Sequence, residues 1–135
     1  MIVEEHLKLR QPQGSKDCLA TVVGMVTGDP LDVVRFKEYA LRKHKNNGEQ
    51  GYFVGEFMAF LQRRGYCVIK PPDVKGTPAL VLVEREPPSI DETHSVYWTG
   101  HKVLDPDREE PCSLKDYTIV AWLPILKQHD NIGNK

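Results

Sequence analysis

The chain has 135 residues, 40% hydrophobic and 27% charged, with three cysteines and a formal net charge of -1. That is the makeup of one globular domain over residues 1–135, with no drive toward nucleic acid or an anionic membrane as partner. Widely spaced cysteines in odd number make no disulfide framework, no apolar run approaches the roughly 18 residues of a span, and the charged start lacks a secretory core, so a reducing cytoplasm fits best.

In chain order, the first half has helical periodicity. Asp17 is placed to cap a helix from about Cys18 to Thr27, with Leu19, Val22, Val23 and Val26 on one face and Gly28 ending it. A second helix starts with Asp29 as cap and Pro30 in the first turn, turns Val33, Phe36 and Ala40 inward, and ends on a basic run before Gly48. A third carries Phe53, Phe57, Met58 and Leu61 at helical spacing and stops at Gly65. From Tyr66 the pattern changes to short runs rich in β-branched and aromatic residues: YCVIK, ALVLV, HSVYW, KVLD and YTIVAWL. The connections between them are too short for crossover helices, so the sheet is expected to be mostly antiparallel and the class α+β. The acidic stretch EREPPSIDE before His94 reads as a mobile loop bordering a cleft, and the chain closes on a polar tail from about residue 127 to 135.

Cys18 stands where a polar, turn-prone loop becomes an apolar helix. Its position alone suits two roles, a small hydrophobe at a helix start or a nucleophile. Unsatisfied N–H groups and the helix dipole favour an anion there, which lowers a thiol pKa, and the cysteine's own N–H offers half of an oxyanion hole. Asp17 works against this, because a neighbouring carboxylate raises a thiol pKa unless its charge is absorbed elsewhere.

HSVYWTGHKVLDPD reads as a hairpin turning at Gly100 and His101. Pairing outward from the turn sets Thr99 against Lys102, Trp98 against Val103 and Val96 against Asp105. Alternation then puts His94, Val96 and Trp98 on one face with Val103, Asp105 and Asp107. His94 falls within reach of both carboxylates. A histidine oriented by a carboxylate and facing a helix-terminal thiol is a nucleophile, base and orienter set.

From Arg10 to Trp122 these motifs, QPQGSKDCLATVVGMVTG followed by HSVYW and VLDP, resemble the papain-like peptidases that process double-glycine leader peptides. They are also similar to small bacterial and phage proteins of that superfamily in which D-C-L or D-C-F replaces D-C-G. The resemblance implies a papain-like fold, a helical lobe followed by an antiparallel sheet, and a peptide or protein substrate. By it Cys18 is the nucleophile, His94 the general base and Asp105 the orienter. Leu19 stands where the family has glycine. Pro12 stands where it has its oxyanion glutamine, so either flanking residue, Gln11 or Gln13, can take that role, with R-Q-P favouring Gln11.

The expected function is therefore cysteine peptidase or isopeptidase chemistry, cutting after small residues such as glycine, with no cofactor and no metal. A silent papain-like module that holds a peptide, or an acyltransferase using the same residues, is the alternative. His6, His44, His101 and His129 make no metal spacing with a cysteine, and a zinc site from Cys18, His94 and Asp105 is the less simple use of those groups. Cys67 belongs to an apolar strand and is expected in the core, and Cys112 belongs to an exposed loop.

Overall fold

The computed structural model of the protein describes residues 7–11, 16–68, 76–89 and 92–127; His6, Gln13, Ile69, Lys70, His129 and residues 128–135 of the tail lie outside them. Its described elements are three helices, a short 3-10 turn and a five-stranded antiparallel sheet, so the class is α+β. Among the described residues no helix is long and apolar enough to cross a membrane.

Helix α1 spans Cys18–Thr27 and is buried from Cys18 through Met25. Its apolar surface is broader than the single stripe of leucine and valine predicts, because α2 and α3 pack on it from one side and the sheet from another. Gly28 ends it at φ 77°, a left-handed conformation glycine adopts without a Cβ penalty, and donates its N–H to the Gly24 carbonyl at 2.9 Å. Helix α2 (Leu31–His44) begins where Asp29 Oδ1 accepts the Leu31 N–H at 2.9 Å, and it buries Phe36 and Ala40 as expected. Helix α3 (Val54–Arg63) is held at its start by Glu56, whose carboxylate accepts the Phe53 N–H at 2.8 Å and an Asn46 amide N–H at 2.9 Å.

The inward face of α3 is Phe57, Phe60 and Leu61, while Phe53 is 68% and Met58 40% exposed, against expectation. Phe53 precedes the helix and does not share its face, and the true stripe follows the i, i+3, i+4 rule one step round from Met58. Phe60 then meets Phe36 edge-on at 5.6 Å and Tyr39 at 5.8 Å, tying α2 to α3.

The strands β1 (Tyr66–Val68), β2 (Ala79–Ser89), β3 (Glu92–Trp98), β4 (Val103–Leu104) and β5 (Ile119–Lys127) lie in the order β1-β5-β2-β3-β4. Alternation gives the sheet two faces. Leu80, Tyr97 and Leu104 join the core shared with the helices. Ala79, Val81, Val83, Val96, Trp98 and Val103 form a second cluster, closed by Cys112, Leu114, Tyr117 and Trp122. Residues 84–89 of the stretch EREPPSIDE are not the loop expected before His94. Strand β2 continues to Ser89 and pairs Ser89 with Glu92, with a register shift between Glu84 and Ser89 where Pro87 and Pro88 have no N–H for a ladder.

The β3–β4 hairpin has the expected register, with Trp98 opposite Val103 and Tyr97 opposite Leu104. Thr99 donates its N–H to the Lys102 carbonyl at 3.0 Å, and its hydroxyl accepts from the His101 and Lys102 N–H groups at 3.2 Å each. Gly100 sits at φ 106°, and a Cβ there would lie 2.9 Å from the Gly76 carbonyl oxygen. Gly100→Ala is therefore expected to destabilise the protein by about 1–3 kcal/mol, read as a lower urea midpoint with unchanged slope.

Candidate active site

Cys18 opens α1 and is only 8% exposed. Asp17 precedes it but does not cap with its side chain. Its backbone carbonyl accepts the Thr21 N–H and hydroxyl at 2.8 Å each, while its carboxylate pairs with the Lys37 ammonium at 2.9 Å. That pairing answers the objection that Asp17 would suppress the thiolate, since a cation offsets its charge.

The body of α1 packs on the sheet face that carries Tyr97 and Leu104, whereas Val96 and Trp98, which alternate with His94, belong to the other cluster. Cys18 and His94 interact all the same, because Cys18 is the leading residue of its helix and touches the strand at both His94 and Ser95. Burial, the largest single influence, pushes the Cys18 thiol up; hydrogen bonding to His94, the His94 charge and hydrogen bonds from Ser95 outweigh it, and the net direction is down. The helix N-terminus acts in the same sense.

His94 is buried, with Nε2 2.6 Å from Asp105 Oδ1 and 3.8 Å from Asp107 Oδ2. Nδ1 remains for the thiol. No well-aligned hydrogen bond occupies it, although the Cys18 side chain is close enough to perturb the ring as partner and as charge. Such contacts are commonly loose in a resting site and tighten with substrate. Burial pushes the imidazole pKa down, and the Asp105 hydrogen bond and Cys18 more than reverse this, raising it to about 9. Asp105 moves the other way. Burial favours its neutral form, but bonds from His94, Tyr117 and the Asp107 N–H lower its pKa to about 2. The resting site thus favours an imidazolium beside a carboxylate, with the thiol displaced toward its thiolate.

Gln11 is buried and donates its backbone N–H to the Pro106 carbonyl at 2.9 Å, which ties it to the segment leaving Asp105. Arg10 reinforces the tie, donating to the Asp107 carbonyl at 3.1 Å and reaching Glu109 at 3.4 Å. Gln13, the other glutamine considered, lies outside the described residues.

Two contributors were not read from the sequence. Ser95 follows His94 directly and lies close enough to Cys18 to help lower its thiol pKa. Tyr117 donates its hydroxyl to Asp105 Oδ2 at 2.6 Å, a contact between a strand end and a loop 12 residues on that no local spacing announces. Cys67 is half-buried in β1 rather than core, and Cys112 is half-buried beside Arg108, its backbone bonded both ways to Val103.

His94, Asp105 and Asp107 are also a possible ligand trio, their donor atoms lying within 4.8 Å of one another. The geometry fits hydrogen bonding better. Ligands on a tetrahedral zinc, each about 2.0–2.1 Å from the ion, stand more than 3 Å apart. His94 Nε2 and Asp105 Oδ1 are 2.6 Å apart, and the second Asp105 oxygen is already held by Tyr117.

No protein-family model, curated protein or solved structure matches the chain.

Proposed function

We propose that this chain is a papain-like cysteine peptidase or isopeptidase, and the observation that carries the reading is the meeting of Cys18 from α1, His94 from β3 and Asp105 from the segment after β4. The Cys18 thiolate attacks a substrate carbonyl carbon. His94 gives its proton to the leaving amine, so the peptide C–N bond breaks and a thioester remains on Sγ. Neutral His94 then takes a proton from water, the hydroxide attacks the thioester, and the thiolate and imidazolium return. The Cys18 N–H belongs to the first helical turn, whose N–H groups have no helical acceptor, and with the Gln11 amide it stabilises the oxyanion. Because Cys18 is 8% exposed, a slim acyl group reaches it most easily, which favours glycine or another small residue at the cut.

The direct test is thiol reactivity without a substrate. Brief iodoacetamide treatment at about pH 6, where an unperturbed thiol of pKa about 8.5 is almost wholly protonated, is expected to label Cys18 before Cys67 and Cys112 in peptide mapping. An inert Cys18 with Cys67 or Cys112 labelled first would overturn the assignment.

A further inference from the structure

We propose that Tyr117 is a positioning residue for this site: its hydroxyl fixes the Asp105 carboxylate in the orientation that aims the His94 ring at Cys18. The inference rests on the peptidase reading and adds a residue to it. The two Asp105 oxygens have different partners. Oδ1 takes His94 Nε2 at 2.6 Å and the Asp107 N–H at 2.8 Å, and Oδ2 takes the Tyr117 hydroxyl at 2.6 Å. Asp105 is 2% exposed, so a freed Oδ2 would have little water to turn to.

Tyr117 is itself fixed from three sides. Its ring packs in the cluster on the far face of the sheet, with the Arg108 guanidinium 5.7 Å from the ring centroid. The turn Leu114–Asp116 returns the Tyr117 N–H to the Leu114 carbonyl at 3.2 Å. Just upstream, Cys112 is bonded to Val103 in both directions, which seats the whole loop beside β4. A hydroxyl this well placed behaves as a fixed donor. Burial and the Asp105 charge also hold the phenol pKa above its usual value, so it stays protonated across the working range.

Without that donor, Oδ2 still has the Arg108 Nε at 3.8 Å. The carboxylate would swing toward the guanidinium and loosen its hold on His94. The other charged or titratable neighbours are Lys8, whose charge reaches Asp105, Asp107 beside His94 Nε2, and Cys112 beside Tyr117. Asp107 and Cys112 are acidic groups, and the Lys8 ammonium donates to the Leu9 carbonyl at 2.9 Å, so none of the three holds Oδ2 as the hydroxyl does.

The test is a double-mutant cycle of Tyr117→Phe and Asp105→Ala, read as the pH dependence of Cys18 alkylation with peptide mapping. Phenylalanine keeps the ring and its packing, and a thermal melt checks that the variant is folded. Tyr117→Phe alone is expected to slow Cys18 alkylation at pH 6 by about tenfold, in step with a rise in the thiol pKa of about one unit. In the Asp105→Ala background the same change is expected to alter the rate by less than about twofold, since Tyr117 then has nothing to position. An unchanged profile in Tyr117→Phe, or an equal loss with and without Asp105, overturns the inference. Failure of the peptidase reading itself looks different: wild-type Cys18 is then inert before any substitution, or it is alkylated with the same dependence on Tyr117 while no peptide is cut.

Discussion

Cys18→Ala is expected to lower peptide cleavage by about 10⁴-fold or more while leaving peptide affinity within a few-fold of wild type. The asymmetry follows from the role of the thiolate. It makes its bond to the carbonyl only as the tetrahedral intermediate forms, whereas the peptide is held by cleft walls that the substitution does not touch. Glycine-rich peptides and ubiquitin-like fusions ending in Gly-Gly or Gly-Ala are the natural panel, given how little of Cys18 is exposed. A fluorescent tag on each reports binding and cleavage together. Cleavage by wild type alone supports the peptidase. Tight binding with no cleavage above the alanine variant points to a silent peptide-holding module. Transfer of the acyl group to an added amine in preference to water identifies an acyltransferase built on the same residues.

The parts of this site that were legible in the sequence are those set by short-range rules. The α1 start at Cys18 follows from a turn-prone loop meeting an apolar run. The His94–Asp105 pair follows from counting outward from Gly100, because the period of a strand is two and a hairpin turn fixes its register. Long-range packing was less legible. Met58 and Phe60 both suit an amphipathic helix, and only the position of Phe36 across the helix pair decides that Phe60 goes inside. Asp17 takes the N-cap position as expected, but its side chain makes no cap for the same reason. Its fitness to cap is local, but Lys37 lies on another helix and claims the carboxylate. Tyr117 reaches Asp105 only after the chain has turned twice, through the Cys112 bridge and the turn after Ser113.

Asp105→Ala is expected to reduce cleavage by about 10²–10⁴-fold and to pull in the alkaline limit of thiolate–imidazolium reactivity. In wild type, reactivity should rise with pH as Cys18 ionises and fall as His94 loses its proton near pH 9. Alanine removes both the charge and the hydrogen bond that raise the imidazole pKa, while burial, which lowers it, remains. The alkaline limit then moves from about 9 toward the ordinary histidine value of about 6.5 or below. Stability is a poorer reporter over this range. His94, with its pKa raised, adds stability that is full below about pH 6.5 and lost as pH rises through about 9. Cys18, with its pKa lowered, contributes in the opposite sense, its stability present above the unfolded thiol pKa and lost as pH falls, so it works against the His94 contribution. On the acid side the site acts through Asp105. Its contribution is present above about pH 4 and lost as pH falls through about 2, and the alanine variant should lack that loss. The buried His94 group left without an acceptor should also cost about 1–3 kcal/mol at neutral pH, and the half-buried Tyr117 hydroxyl less, seen in the urea midpoint. Asp105→Asn separates orientation from charge. Its amide oxygen can still accept from His94 and the Asp107 N–H, and its amide nitrogen can donate to the Tyr117 oxygen. If orientation is the main service of Asp105, asparagine should recover most of the cleavage rate lost in alanine while keeping the lowered alkaline limit. A rate as poor as that of alanine would mean the charge itself is required, and an alkaline limit still near 9 in both variants would remove Asp105 from the site.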